Sequence, residues 1–225
     1  MRAFWVVGIM LSAYSLFAQK SEVGFGIGTF NYTGDLARSY NVLNSRPAAT
    51  VFYRSNLSKV VSLRAAITGG NIGASDKRPI DAFAERRDAS FSLFLMEASA
   101  VMEYHFMNWR DDKHIMRFTP YVFGGLGIFG ISGEQNKASE YSNVQGAIPF
   151  GLGMKYILNP KWYLAVEFGA RKTFFDYLDN VSTGSNQLVK NLQYGNPYDN
   201  DVYYFFGVSV TRTFYEIPCP TNPYK

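Results

Sequence analysis

The chain has 225 residues, 47% of them hydrophobic and 17% aromatic, with 20 glycines and a formal charge of +4. That length fits one all-β domain, and so much aromatic and glycine content without long apolar runs argues against a soluble α/β enzyme. The basic residues are scattered rather than gathered on one element, which argues against a nucleic-acid partner.

Arg2 precedes a largely apolar run, Phe4 to Phe17, which ends at Ala18 before the polar Gln19-Lys20. A positive start, a short apolar stretch and a small final residue are the layout of a secretory signal. Residues 1–18 are therefore predicted to be removed on export. The run is shorter than the ~20 residues a spanning helix needs, and no later stretch reaches the roughly 18 consecutive apolar residues of a membrane helix. No cysteine follows the signal, so a lipid anchor is not expected. The single cysteine, Cys219, has no intramolecular partner.

The first element beyond the signal is the stretch EVGFGIGTFNYTGDL, with Gly24, Gly26 and Gly28 spaced two apart. A dinucleotide loop needs Gly-x-Gly-x-x-Gly leading from a strand into a helix. Here the spacing is strictly two and no helical period follows. The glycines instead share one face of a strand with Glu22, while Val23, Phe25 and Ile27 share the other.

Continuing along the chain, runs of alternating character bounded by turn signals predict eight strands. They cover 22–32, 46–56, 59–70, 91–106, 117–130, 144–157, 161–175 and 201–214. Most exceed the roughly 5–6 residues of soluble strands and suit the ~9–11 that cross a tilted bilayer path. In the third strand, Val61, Leu63, Ala65 and Ile67 oppose Ser62, Arg64 and Thr68. In the fourth, Met96, Ala98, Ala100, Met102 and Tyr104 oppose Glu97, Ser99, Glu103 and His105. In the seventh, Trp162, Leu164, Val166 and Phe168 oppose Tyr163, Glu167, Gly169, Arg171 and Thr173. In the eighth, Tyr204, Phe206, Val208, Val210 and Phe214 oppose Gly207, Ser209, Thr211 and Thr213. Arg212 falls on the apolar face, where a strand end would let it reach the interface. The glycine-rich fifth strand leaves its facing open.

The apolar faces carry aromatics near strand ends, as membrane girdles do, and the polar faces are rich in small residues that suit a narrow lumen. The connections also alternate in length. Those at 33–45, 71–90, 131–143 and 176–200 are long, while 56–58 and 158–160 are tight and 107–116 is intermediate. The expectation is an all-β fold, an eight-stranded antiparallel transmembrane β-barrel with a closed lumen. It comprises a signal at 1–18, a barrel at 19–214 and a tail at 215–225. Both termini are expected in the periplasm of an outer-membrane protein surrounded by lipid. Pro218, Pro220 and Pro223 prevent the tail from extending the last strand.

Projected inward, the alternation collects Glu22, Arg54, Arg64, Glu97, Glu103, Lys155, Glu167 and Arg171, four acids and four bases. In a narrow lumen such charges must pair. They read as a salt-bridge lattice plugging the barrel, the alternatives being an ion pathway or a catalytic carboxylate pair. Neither His105 nor His114 has a serine placed toward an outer rim, so no catalytic site is expected. His114 beside Asp111 and Asp112 reads as a solvated turn, and no metal or other cofactor is expected. Cys219, between Pro218 and Pro220, is an accessible thiol that could form an intermolecular disulfide.

The stretch Asn31-Tyr32-Thr33-Gly34-Asp35-Leu36, the strand PYVFGGLGIF, the signal ending Phe-Ala-Gln and the Cys-Pro tail together resemble the PorG-like family. These are small outer-membrane barrels of the type IX secretion system in Bacteroidetes. The resemblance implies a non-enzymatic component that links the outer membrane to a periplasmic ring of a PorK-like lipoprotein and its PorN-like partner, with a role in gliding motility in some species. It makes 107–116, with Trp109, Arg110, Asp111 and Asp112, and the tail, with Pro218, Cys219 and Pro220, the expected docking surface. Two other readings stand beside it. One is a free-standing surface barrel whose external loops bind ligands or cells. The other, weaker for want of a rim nucleophile and base, is a lipid-modifying barrel enzyme.

Overall fold

The computed structural model describes residues 21–33, 42–75, 90–107, 117–132, 144–159, 161–173 and 202–214. They form eight strands: β1 (Ser21–Thr33), β2 (Arg46–Ser55), β3 (Val61–Ser75), β4 (Ser90–His105), β5 (Phe118–Ser132), β6 (Val144–Asn159), β7 (Trp162–Thr173) and β8 (Val202–Phe214). Each pairs antiparallel with the next, and β8 closes on β1 through a register running from Ser21↔Phe214 to Thr33↔Val202. Closure leaves no strand edge, so the ladder satisfies the backbone of the wall within the wall.

Alternation then divides the side chains. In β7 every second residue from Tyr163 to Thr173 is buried, and those between face outward. The outward set is apolar: Leu126 is 72% exposed, Ile27 63%, Ile67 60% and Leu152 60%. An apolar belt of this extent around a whole molecule is untenable in water. Its solvent is the hydrocarbon of a bilayer. Exposed aromatics Tyr53, Tyr104, Phe106, Phe118, Trp162 and Phe214 ring the end that carries the two short turns, as an interfacial girdle does.

Both short turns are built by side-chain acceptors. Ser58 Oγ accepts from the amides of Val60 (3.3 Å) and Val61 (2.9 Å). Asn159 Oδ1 accepts from those of Lys161 and Trp162, each at 3.0 Å, beside a register shift at Ile157/Asn159. The first turn spans 56–60, so β3 starts two residues later than the sequence pattern suggested.

Three strands run two or more residues further than expected. β3 continues to Ser75, β5 to Ser132 and β6 to Asn159. The expected third strand ended at Gly70, yet Gly70 lies inside β3, paired with Ala48 and so close to it that a Cβ there would lie 2.6 Å from the Ala48 Cα. The glycine marks a close approach of two neighbouring strands. The facing of β5 is now defined. Tyr121, Phe123, Phe129 and Ile131 point inward, and Val122, Leu126 and Ile128 point out.

The interior has two layers. At the turn end it is charged. Toward the far end it is apolar and aromatic, filled by Phe30, Tyr32, Ile72, Leu93, Leu95, Phe129, Tyr203 and Phe205. Small and polar lumen faces were expected throughout, and the far half corrects that expectation. An eight-stranded lumen is just wide enough for side chains to fill. The glycines of β1 make the room, since a Cβ at Gly24 would overlap the Phe52 ring and one at Gly28 would overlap the Phe206 carbonyl.

Candidate functional site

The charged layer grows from the register. Glu22 on β1 stands opposite Arg54 on β2, and Arg54 in turn stands opposite Arg64 on β3. Two arginines side by side need a shared acid, and Glu103 on β4 supplies it. Arg54 Nη2 donates to Glu103 Oε1 at 3.1 Å, with Arg54 Nε 2.9 Å from Oε2. Arg64 Nε lies 3.2 Å from Glu103 Oε1. Lys155 on β6 completes the hub by donating to Glu103 Oε2 at 2.8 Å.

Two further contacts extend this hub across the lumen. Arg54 Nη1 donates to Glu22 Oε2 at 2.6 Å. Arg64 forks onto Glu167 on β7, its Nη1 on Oε2 and its Nη2 on Oε1, and Tyr121 donates to the same carboxylate at 3.0 Å. Higher in the barrel, Arg171 Nε donates to Glu97 Oε2 at 3.2 Å and Tyr203 donates to it at 2.8 Å. All eight charged residues are at most 7% exposed. With four acids and four bases, the described lumen carries no net charge when His105 is neutral.

Aromatic faces line the cations. The Arg54 guanidinium lies 4.8 Å from the Phe52 ring centroid, and that of Arg64 lies 5.1 Å from the Phe123 ring. Between the layers is a cavity of about 20 Å³, bordered by Thr68, Arg64, Glu167, Arg171, Phe52 and Phe123 among others. That is room for about one water, far below what a conducting path needs.

Several members were not singled out from the sequence. Asn56 Nδ2 donates to Glu22 Oε1 at 2.6 Å, and Ser62 donates to Asn56 Oδ1 at 3.0 Å. His105 Nε2 sits 3.2 Å from Lys155 Nζ and 3.4 Å from Ser62 Oγ. His105 and Ser62 share the strand faces of Glu103 and Arg64, which was their signal. Asn56 lies in a turn, where alternation gives no information, and Tyr121 lies on the glycine-rich strand. The residues expected to dock a partner, Trp109, Arg110, Asp111, Asp112, Pro218, Cys219 and Pro220, lie outside the described residues, as does the signal at 1–18.

Ser62 and His105 have the elements of a nucleophile and base, yet both are fully buried. The Nε2 atom that would take a serine proton also faces Lys155 and Glu103. Ser62 directs its own hydrogen toward Asn56. The arrangement holds the floor of the lumen together and offers no approach to a substrate.

A closed eight-stranded antiparallel barrel with an apolar outer belt and a filled lumen is the fold of small outer-membrane proteins. The chain belongs to the family described as a domain of unknown function (DUF6089), which matches residues 1–222. Among solved structures it is similar to Neisserial surface protein A, with a TM-score of 0.53 at 12% identity over 86% of this chain and 97% of that one. It is also similar to Ail, the attachment invasion locus protein of Yersinia pestis (TM-score 0.48, 10% identity, 87% and 99% covered). A third is the outer-membrane protein OprG of Pseudomonas aeruginosa (TM-score 0.47, 13% identity, 88% and 97% covered). What is shared with Neisserial surface protein A is the fold. No curated protein matches the chain.

Proposed function

We propose that this protein is a non-enzymatic outer-membrane barrel that anchors the periplasmic lipoprotein ring of a type IX secretion machine. The observation that carries the anchoring role is the closed lumen. Opposite walls are tied by buried ion pairs, the cavity between the two lumen layers is about 20 Å³, and the buried Ser62 and His105 are engaged with one another and their neighbours. A barrel of this kind acts through its surfaces. Placement in the type IX system rests on the sequence resemblance, above all Asn31-Tyr32-Thr33-Gly34-Asp35-Leu36. In this reading both termini are periplasmic, 107–116 and 215–225 meet the ring, and Cys219 bonds to a partner thiol.

Affinity capture in mild detergent tests the reading. The expected result is co-recovery of a periplasmic lipoprotein and its ring partner, with loss of cargo secretion in a deletion strain. Recovery of the barrel alone, with normal secretion, would contradict it. That outcome would favour a free-standing surface barrel, the reading to which the fold shared with a Neisserial surface protein lends some support. For Cys219, non-reducing electrophoresis of native membranes should show a high-mass band that disappears in Cys219→Ser.

A further inference from the structure

The outer face of the barrel carries one feature that the anchoring role does not use. An apolar groove of about 640 Å³ crosses β1 to β5 on the lipid side. Its floor is Ala65, Ala98, Ala100 and Gly127, and its walls include Val23, Tyr53, Ile67 and Leu126. The groove follows a single row of strand partners: Val23↔Tyr53, Tyr53↔Ala65, Ala65↔Ala100 and Ala100↔Leu126.

This row does not begin at Val23. It continues in the other direction to Arg212 on β8 and Trp162 on β7. Arg212 is an exposed cation on an otherwise apolar outer face of β8. Its guanidinium lies 5.8 Å from the Trp162 ring centroid and 5.3 Å from that of Phe214, so two aromatic faces hold it at the girdle. Among the described residues it forms no ion pair. Beside it, Ser21 Oγ and the Tyr53 hydroxyl bond to each other at 2.7 Å at the same exposed level.

The row climbs. Trp162 opens β7, Val23 is two residues into β1, and Leu126 is eight residues beyond the start of β5. Five steps from Arg212 to Leu126 at ~4.8 Å each span about 24 Å. With strands tilted ~35–45°, that path rises roughly 15 Å into the bilayer, about half of a ~30 Å hydrocarbon core.

We propose that this groove holds one phospholipid with an anionic headgroup. Its phosphate sits on Arg212 between Trp162 and Phe214, and one acyl chain lies along the alanine floor toward Leu126. A positive charge at the interfacial end of an apolar, membrane-facing groove of leaflet depth complements that molecule. The site uses only the membrane reading of the barrel and is independent of the secretion partners.

Native mass spectrometry of the full mature barrel tests the site, with phosphatidylglycerol, phosphatidylcholine and sodium phosphate each added in detergent. The expected result is one retained phosphatidylglycerol per barrel, bound roughly five-fold more tightly than phosphatidylcholine, the increment of one basic side chain at a lipid surface. Arg212→Gln should equalise the two lipids and Arg212→Lys should keep the preference. Ala65→Leu or Ala100→Leu, which fill the floor from outside, should lose both lipids. Heat-modifiable gel migration establishes that each variant is folded. Equal retention of both lipids by the native barrel, an unchanged preference in Arg212→Gln, or competition by sodium phosphate alone would overturn the lipid site. Failure of the native barrel to insert into vesicles would overturn both the site and the membrane reading.

Discussion

Arg64 on β3 and Glu167 on β7 meet across the lumen as a two-pronged ion pair, joining strands that share no ladder. Removing one partner of such a buried pair leaves a charge without compensation, at a cost of about 3–5 kcal/mol. Glu167→Gln and Arg64→Met should each lower folding stability in lipid vesicles by that order, read from urea unfolding. The double variant should be less damaged than the sum, with a coupling of about 0.5–3 kcal/mol. Strict additivity would show that the pair contributes nothing beyond its separate side chains.

Glu103 is the acid shared by Arg54, Arg64 and Lys155, whereas among the described residues the cation paired with Glu97 is Arg171. Glu103→Gln should therefore shift the urea midpoint further down than Glu97→Gln. Adding Lys155→Met to Glu103→Gln should recover part of the loss, because it removes one of the stranded cations. Equal midpoints for the two single variants would argue against a hub.

Leu126 is 72% exposed, and in water its replacement by arginine would change stability by only about 0.5 kcal/mol. On the lipid face near the bilayer middle the same change costs about 2–4 kcal/mol. Folding free energies of Leu126→Arg in vesicles separate the two solvents for this wall.

Inward and outward glycines should respond differently. A Cβ at Gly28 meets the Phe206 carbonyl and the Phe205 ring, while one at Gly124 meets nothing within 4 Å. Gly28→Ala should cost about 1–3 kcal/mol through overpacking, and Gly124→Ala should stay within about 0.5 kcal/mol. Thermal or urea midpoints of the two variants provide the comparison.

These contrasts also explain what the chain revealed before its fold was known. Strands β4, β7 and β8 announce themselves through the parts that alternate, around Glu97–His105, Val166–Arg171 and Phe206–Phe214, and a fixed period of two carries every residue to a defined side. That same parity carried Glu22, Arg54, Glu103 and Lys155 inward. It said nothing of which charge meets which, because Arg64 and Glu167 lie 103 positions apart and their meeting depends on how the barrel closes. The apolar runs Leu93–Met96 and Val202–Phe206 show no alternation, which is why the aromatic half of the lumen was not foreseen. Glycine blurred the rest: the expected third strand ended at Gly70, short of Ser75, and Gly124-Gly125 hid the facing of β5. Asn31 lies on the outward parity of β1 yet is buried, its Nδ2 donating to Ser45 Oγ at 3.1 Å. A neighbouring segment covers it, which period two cannot foresee.

The central claim is that buried ion pairs and aromatics seal this barrel, leaving it to act through its surfaces. Single-channel recording on the purified protein in planar bilayers addresses that claim most directly. A membrane holding inserted barrels should show no steady conductance above baseline across a range of voltages. A stable, reproducible open level in the native protein would contradict it.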